Sequence, residues 1–272
     1  MILPYKDEFL TIADRLGREL GGPVSEIAYT WEEGRAAVTA SAGDTAAGLQ
    51  KTAGTVRILD DGLYRYLCIL PPGYDPEDTR RWPVIFFFHG IGERGSDAQD
   101  LLRRGLPFYS AQGMGMDAIV LAPQCPADSH WVNDDRELEK LSVWIPRTAE
   151  IYPIDPERMY VTGLSMGGRC CWKLLLAMPK VFAAAAIVCG RTNTYDFGEI
   201  RDVPLWLFHG LGDDVIPFEN INLIIPPLLK SGRRYTKLTV YPYLGHDVWT
   251  AAYGRADLYA WLLAQSLKGR RA

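Results

Sequence analysis

Short apolar runs recur along most of the chain, and between the later runs apolar positions repeat at helical spacing. Runs near 55–60, 64–70, 84–88, 118–122, 159–162, 183–189, 204–208 and 236–241 read as strands, because each is short and bounded by turn residues. Val84-Ile85-Phe86-Phe87-Phe88 is too apolar for an exposed edge and suits a strand covered on both faces. Segments 98–112, 135–151, 166–178, 219–231 and 256–268 read as helices, with Pro226-Pro227 expected to break or kink the fourth. Strands alternating with helices predict an α/β fold: an eight-stranded, mostly parallel, doubly wound sheet with helices on both faces. Asp60-Asp61-Gly62 between the first two strands is a hairpin-type turn, which makes that end of the sheet antiparallel.

Ahead of these runs, Phe9, Ile12, Ala13, Leu16 and Leu20 recur at helical spacing and predict an amphipathic helix over 6–20, ending at Gly21-Gly22. Its apolar stripe is expected to pack on the main domain; dimerisation or covering of a pocket are the competing roles. Residues 34–54, rich in Ala, Gly and Thr, read either as a strand and loop or as a mobile linker. The chain therefore divides into 1–54, a helix and extension, and 55–272, the main domain. No second domain is required, and no internal repeat is visible.

Composition narrows the function classes. A chain of 272 residues can bury the core of one large α/β domain. Its net charge of −4, with Lys and Arg scattered, offers no basic patch for nucleic acid. The start Met1-Ile2-Leu3-Pro4-Tyr5-Lys6 lacks the basic and apolar regions of a signal peptide, and no run approaches a membrane span, so a soluble, cytoplasmic protein is expected; a chain trimmed of a leader would read the same. The five cysteines, 68, 125, 170, 171 and 189, cannot all pair, and several sit where free Cys acts as a small hydrophobe.

The chemistry centres on Gly163-Leu164-Ser165-Met166-Gly167, which follows the strand-like Met159-Tyr160-Val161-Thr162 and opens a helical segment. Such a Gly-x-Ser-x-Gly reads as a nucleophile elbow: the chain turns from strand to helix without a loop, and only glycine two residues either side of the serine leaves room for the crossing backbone. A serine hydroxyl needs a base, and the base needs an acid. Four histidines exist, at 89, 130, 209 and 246. His246 follows the strand-like Leu238-Thr239-Val240-Tyr241, at the strand end where binding groups of open α/β sheets collect. Asp213 leaves the strand-like Leu205-Trp206-Leu207-Phe208 in the turn His209-Gly210-Leu211-Gly212-Asp213-Asp214, and Asp214 is its competitor. His209 reads as a residue that satisfies loop backbone groups, and His130, beside Trp131, as a rim or solvated residue. The order Ser165, Asp213, His246 is that of α/β-hydrolases. An oxyanion hole needs two N–H donors: one comes with the elbow, from Met166, and the other from the loop His89-Gly90-Ile91-Gly92, with Ile91 as first choice and Gly90 as alternative.

The strings Phe86-Phe87-Phe88-His89-Gly90-Ile91-Gly92-Glu93-Arg94-Gly95, Ala122-Pro123-Gln124-Cys125-Pro126, Tyr160 to Gly168 and Gly245-His246-Asp247-Val248-Trp249-Thr250 resemble the bacterial carboxylesterases often labelled predicted peptidases. These are relatives of prolyl-oligopeptidase catalytic domains, dienelactone hydrolases and feruloyl esterases. The likeness runs from about Thr55 to Gln265 and leaves residues 1–50 outside. It implies the α/β-hydrolase fold and a serine esterase with the residues just named, working without metal or cofactor. It also implies that Glu93-Arg94-Gly95 and Gln124 are scaffolding around the pocket mouth, although Glu93 and Arg94 could instead contact a polar substrate. Gln124, Trp131 and Trp249 are the substrate-binding candidates; aromatic walls suit apolar or aryl groups, and for both tryptophans a core position is equally open. The segment Gly190 to Phe197 stands where a cap is usual and is short, which favours small or extended esters over long buried acyl chains. The reading is a serine carboxylesterase acting on a small-molecule ester, with short acyl, aryl or hydroxycinnamoyl groups, through an acyl-enzyme. A prolyl-oligopeptidase-type peptidase is the alternative, opposed by a chain too short for a gating propeller. A non-catalytic binding module is opposed by the intact Ser, Asp and His set. The oligomeric state, a homodimer included, stays open.

Overall fold

Trp82–Phe88, buried at every position, forms a central strand of a ten-stranded sheet. In the computed structural model, which describes residues 3–20, 24–32, 35–42, 54–112, 114, 116–233 and 235–271, the strands are β1 (Val24–Glu32), β2 (Arg35–Ala42), β3 (Thr55–Asp60), β4 (Arg65–Leu70), β5 (Trp82–Phe88), β6 (Ile119–Pro123), β7 (Ile154–Leu164), β8 (Ala184–Val188), β9 (Leu205–Gly210) and β10 (Tyr235–Tyr241). Their order in the sheet is β2-β1-β10-β9-β8-β7-β5-β6-β4-β3. The six strands from β10 to β6 run parallel, while β4 and β3 at one end and β1 and β2 at the other are antiparallel additions.

The helices are α1 (Lys6–Leu20), α2 (Gly105–Ala111), α3 (Asp135–Ile151), α4 (Met166–Ala177), α5 (Glu219–Lys230), α6 (Trp249–Tyr253), α7 (Ala256–Leu263) and α8 (Leu267–Arg271). Side-chain alternation along β5 divides the core in two. Val84, Phe86 and Phe88 join the apolar faces of α1, α3, α4 and α5, whereas Ile85 and Phe87 join those of α2, α6 and α7. Both faces of the parallel strands are thus covered, which is why their sequences run apolar instead of alternating.

The sheet has ten strands and not the eight expected, because the chain before β3 contributes a hairpin. β1 pairs antiparallel with β10, from Ile27 opposite Val240 to Glu32 opposite Tyr235, and β2 closes the edge. The alternation that would have announced β1 is interrupted by Glu26, a buried carboxylate whose partner, the buried Arg255, is far along the chain. α1 forms over the residues expected and lays Phe9 against Tyr29 and Phe218, with ring centroids 5.7 and 5.1 Å apart. The expected stop at Gly21-Gly22 and the part of the linker between 43 and 53 lie outside the described residues.

Three helical segments also differ from expectation. The 98–112 stretch is a 3-10 turn, Ala98–Arg103, followed by α2, the break falling where Gly105 takes φ +65° beneath the Phe87 ring. The 256–268 stretch ends as α7 at Leu263, and the chain resumes as α8. α5 continues through Pro226-Pro227, carried by the burial of Ile221, Ile224, Ile225 and Leu228.

Candidate active site

β7 ends at Leu164 and α4 begins at Met166, so Ser165 alone makes the turn, with φ 52° and ψ −114°. A non-glycine residue held there is strained, and packing must enforce it. The Ser165 N–H donates to Val188 O of the neighbouring strand at 2.9 Å. A methyl on Gly163 would lie 2.7 Å from the Phe88 and Gly167 carbonyl oxygens, and one on Gly167 only 1.9 Å from Phe88 O. Both glycines therefore serve the crossing of β5 and α4. Gly167→Ala is expected to destabilise the fold by about 3 kcal/mol or more, read as a lower urea midpoint, because its neighbour is backbone and cannot swing aside.

Parallel strands β7, β9 and β10 bring the partners to the same edge. Ser165 follows β7, Asp213 follows β9 and His246 follows β10. His246 Nε2 lies 2.9 Å from Ser165 Oγ, and His246 Nδ1 lies 2.8 Å from Asp213 Oδ2. Asp213 Oδ1 accepts the N–H groups of Val215 (2.9 Å) and Ile216 (2.8 Å). Burial pushes the Asp213 carboxyl up, but the hydrogen bonds from His246 and Ile216 outweigh it and hold the group below the usual carboxylate range. Asp213 stays ionised and aimed at His246. Asp214 is exposed, and the hydrogen bond to His246 goes to its neighbour.

The loop after β5 passes beside the serine. A methyl added to Gly90 would lie 3.8 Å from Ser165 Cβ. The Glu93 carboxylate is buried and 3.5 Å from Arg104, and a methyl added to Gly90 would lie 3.3 Å from its Oε2. Arg94 donates to Ile91 O (3.3 Å) and Ser129 O (2.9 Å), a brace between two loops.

His89 has a place that the sequence reading did not assign. Its Nδ1 lies 2.6 Å from Gly90 O and must carry the proton, while Nε2 accepts the Cys125 N–H at 2.9 Å. The imidazole locks the loop that carries Ile91. Its counterpart after β9, His209, puts Nε2 2.8 Å from Ile216 O and 3.4 Å from Asp213 Oδ2, in keeping with a histidine that satisfies loop backbone. The repeated strand-end pair Phe-His-Gly, at 88–90 and 208–210, is the signal that links them.

Burial lowers the His89 pKa from 6.5 to about 4. The unfolded chain takes up that proton near pH 6.5 and the folded protein only near 4, so acid favours unfolding across this window. Urea-unfolding stability is expected to fall by about 3 kcal/mol between these pH values through His89 alone. His89→Gln should flatten that slope, whatever it does to stability at neutral pH.

Two substrate-binding candidates need correction. Trp131 has no exposed surface and packs in the core against Tyr64, Phe88 and His89. Gln124 is buried, its Nε2 donating to Glu93 O and Asp97 O at 3.0 Å each, which makes it loop scaffolding. Trp249 is nearly buried, yet its ring stands edge-on to His246 with centroids 5.4 Å apart. It is the one of the three beside the site. Among the described residues no three His, Cys, Asp or Glu side chains converge as a metal-ligand set, and no helix is long and apolar enough to cross a membrane.

No family model matches the chain. It is 28% identical over 250 residues, 76% of its own length and 82% of the relative's, to a poly(3-hydroxyoctanoate) depolymerase of Pseudomonas fluorescens. Among solved structures it is similar to a thermostable esterase, with 28% identity and a TM-score of 0.65, covering 78% of this chain and 63% of that one. A feruloyl esterase module from Clostridium thermocellum superposes with a TM-score of 0.62 over 81% of this chain at 17% identity, a likeness of fold. The chain has the α/β-hydrolase fold, and its relatives are carboxylic ester hydrolases.

Proposed function

We propose that Ser165, His246 and Asp213 are the catalytic triad of a serine carboxylesterase. The observation that carries this reading is the unbroken relay from Ser165 Oγ through His246 (2.9 Å) to Asp213 (2.8 Å), at the sheet edge where the fold places its ligands. Ser165 Oγ attacks the ester carbonyl while His246 Nε2 takes its proton, and Asp213 stabilises the imidazolium that forms. The N–H groups of Met166 and Ile91 receive the oxyanion. His246 then returns the proton to the departing alkoxide, leaving an acyl-enzyme. Water attacks that ester by the same relay and frees the acid and Ser165.

The substrate class is a small or extended ester with a short acyl, aryl or hydroxycinnamoyl group. The short 190–197 segment supports it, as does Trp249 beside His246, a flat apolar surface next to the reacting atoms. The relative's polyester substrate adds aliphatic 3-hydroxyacyl esters to the same class. We read residues 55–272 as the catalytic unit and 1–54 as an extension packed on it; α1 and β1 support this through Phe9 and the β1–β10 pairing. Five unpaired, buried thiols favour a cytoplasmic location. The test is a panel of p-nitrophenyl esters of increasing acyl length, methyl ferulate, a 3-hydroxyacyl ester and a prolyl amide. Turnover of the esters and not the amide is expected; preferential cleavage of the amide would favour a peptidase.

A further inference from the structure

Arg169 and Arg191 flank the turn that carries Ser165, and among the described residues neither has a counter-ion. Arg169 is in the first turn of α4, and its N–H donates to Ser165 O at 3.0 Å. Side chains on a helix lean toward its N-terminus, so this position directs a long side chain toward the edge that bears Ser165 Oγ. Arg191 arrives from β8. Gly190 packs so tightly on the start of α4 that a methyl there would lie 2.7 Å from Gly168 Cα, which sets Arg191 against the same turn. Both arginines are partly buried. Burial, and then the nearby charge of Arg191, holds the Arg169 pKa below its usual value.

The surrounding charges are otherwise spoken for. Lys173, one turn along α4, pairs with Asp135 at 3.0 Å and donates to Val132 O. Arg94 is bonded to the carbonyls of Ile91 and Ser129, Asp134 pairs with Arg136 at 2.7 Å, and His130 Nδ1 accepts the Val132 N–H at 3.1 Å. Among the described residues Arg169 and Arg191 form no ion pair and no side-chain hydrogen bond. Two like charges on one turn beside a nucleophile are stabilised by an anion, and among the described residues none is paired with them.

We propose that Arg169 and Arg191 form an anion subsite that selects esters bearing a second, ionised carboxylate. This rests on the ester-hydrolase reading above and gives it a substrate class. The carboxylate belongs to the acyl part, as in a half-ester of a dicarboxylic acid, or to the alcohol part, as in an acylated hydroxy acid. Either way the guanidinium fork provides paired N–H donors that a neutral ester does not use.

The test compares kcat/KM for monoethyl glutarate and 3-acetoxypropionate, each as a ratio to neutral ethyl butyrate, in the full-length protein. Arg169→Gln should lower the ratio about tenfold for at least one anionic ester, and adding Arg191→Gln should lower it further. Arg169→Lys should recover much of it, and salt should reduce the wild-type ratio. The ester that loses more reports on which side the carboxylate sits. Calorimetric binding of glutarate, retained in Ser165→Ala and lost in the double arginine variant, reads the subsite without turnover. If no ester is hydrolysed but glutarate binding still depends on the arginines, the subsite stands and the esterase reading falls. Ratios within twofold of wild type in every variant, with no arginine-dependent glutarate binding, overturn the proposal.

Discussion

Ser165→Ala is expected to lower kcat about 10⁴- to 10⁶-fold on any ester the wild type hydrolyses, with little change in KM. The magnitude follows from the relay. Without Oγ, His246 Nε2 has no hydroxyl to deprotonate, and no acyl-enzyme can form. Water activated by His246 and the oxyanion amides leaves the residual rate. Because Ser165 is held at a strained φ of 52°, alanine should fold there no worse than serine, so the loss will appear in a stable protein. A variant that keeps more than a tenth of wild-type kcat would exclude Ser165 as nucleophile.

Asp213→Asn should cost about 10⁴-fold in kcat, whereas Asp214→Asn should leave kcat within a few-fold of wild type. Asp213 accepts the His246 Nδ1–H with one oxygen and two loop N–H groups with the other. An asparagine can keep the loop contacts only by turning its NH₂ toward His246. The ring would then accept at Nδ1 and carry its proton on Nε2, where it cannot take one from Ser165. Asp214 points to solvent and holds no part of this chain of bonds. Equal losses from both substitutions would indicate a general disturbance of the 210–217 loop instead.

How much of this was legible in the sequence depended on the range of the interactions. The elbow could be read because its constraint is local: Gly163 and Gly167 are dictated by backbone crossing within five residues of Ser165. Central strands such as β5 and β8 could be read because strands buried on both faces give uninterrupted apolar runs, whereas the largely exposed β3 is marked by the Asp60-Asp61-Gly62 turn that joins it to β4. β1 could not, since Glu26 makes chemical sense only beside Arg255, and no local pattern announces a partner so distant. Trp131 illustrates the opposite difficulty. A tryptophan in a polar loop near a pocket motif looks available to substrate, yet its ring fills the space between Tyr64 and Phe88, contacts set by tertiary packing. His89 was overlooked because a strand-end His-Gly looks like an ordinary turn; its two bonds, to Gly90 O and Cys125 N, join segments that meet only in the fold. The choice between Asp213 and Asp214 turned on one side-chain direction, which spacing alone cannot set.

The most direct measurement of the central claim is labelling of the intact protein with a fluorophosphonate, followed by peptide mass spectrometry. A single phosphonyl adduct on the peptide containing Ser165, formed in the wild type and absent from Ser165→Ala, is the result predicted from the relay. No adduct, or an adduct on another residue that persists in Ser165→Ala, would contradict it.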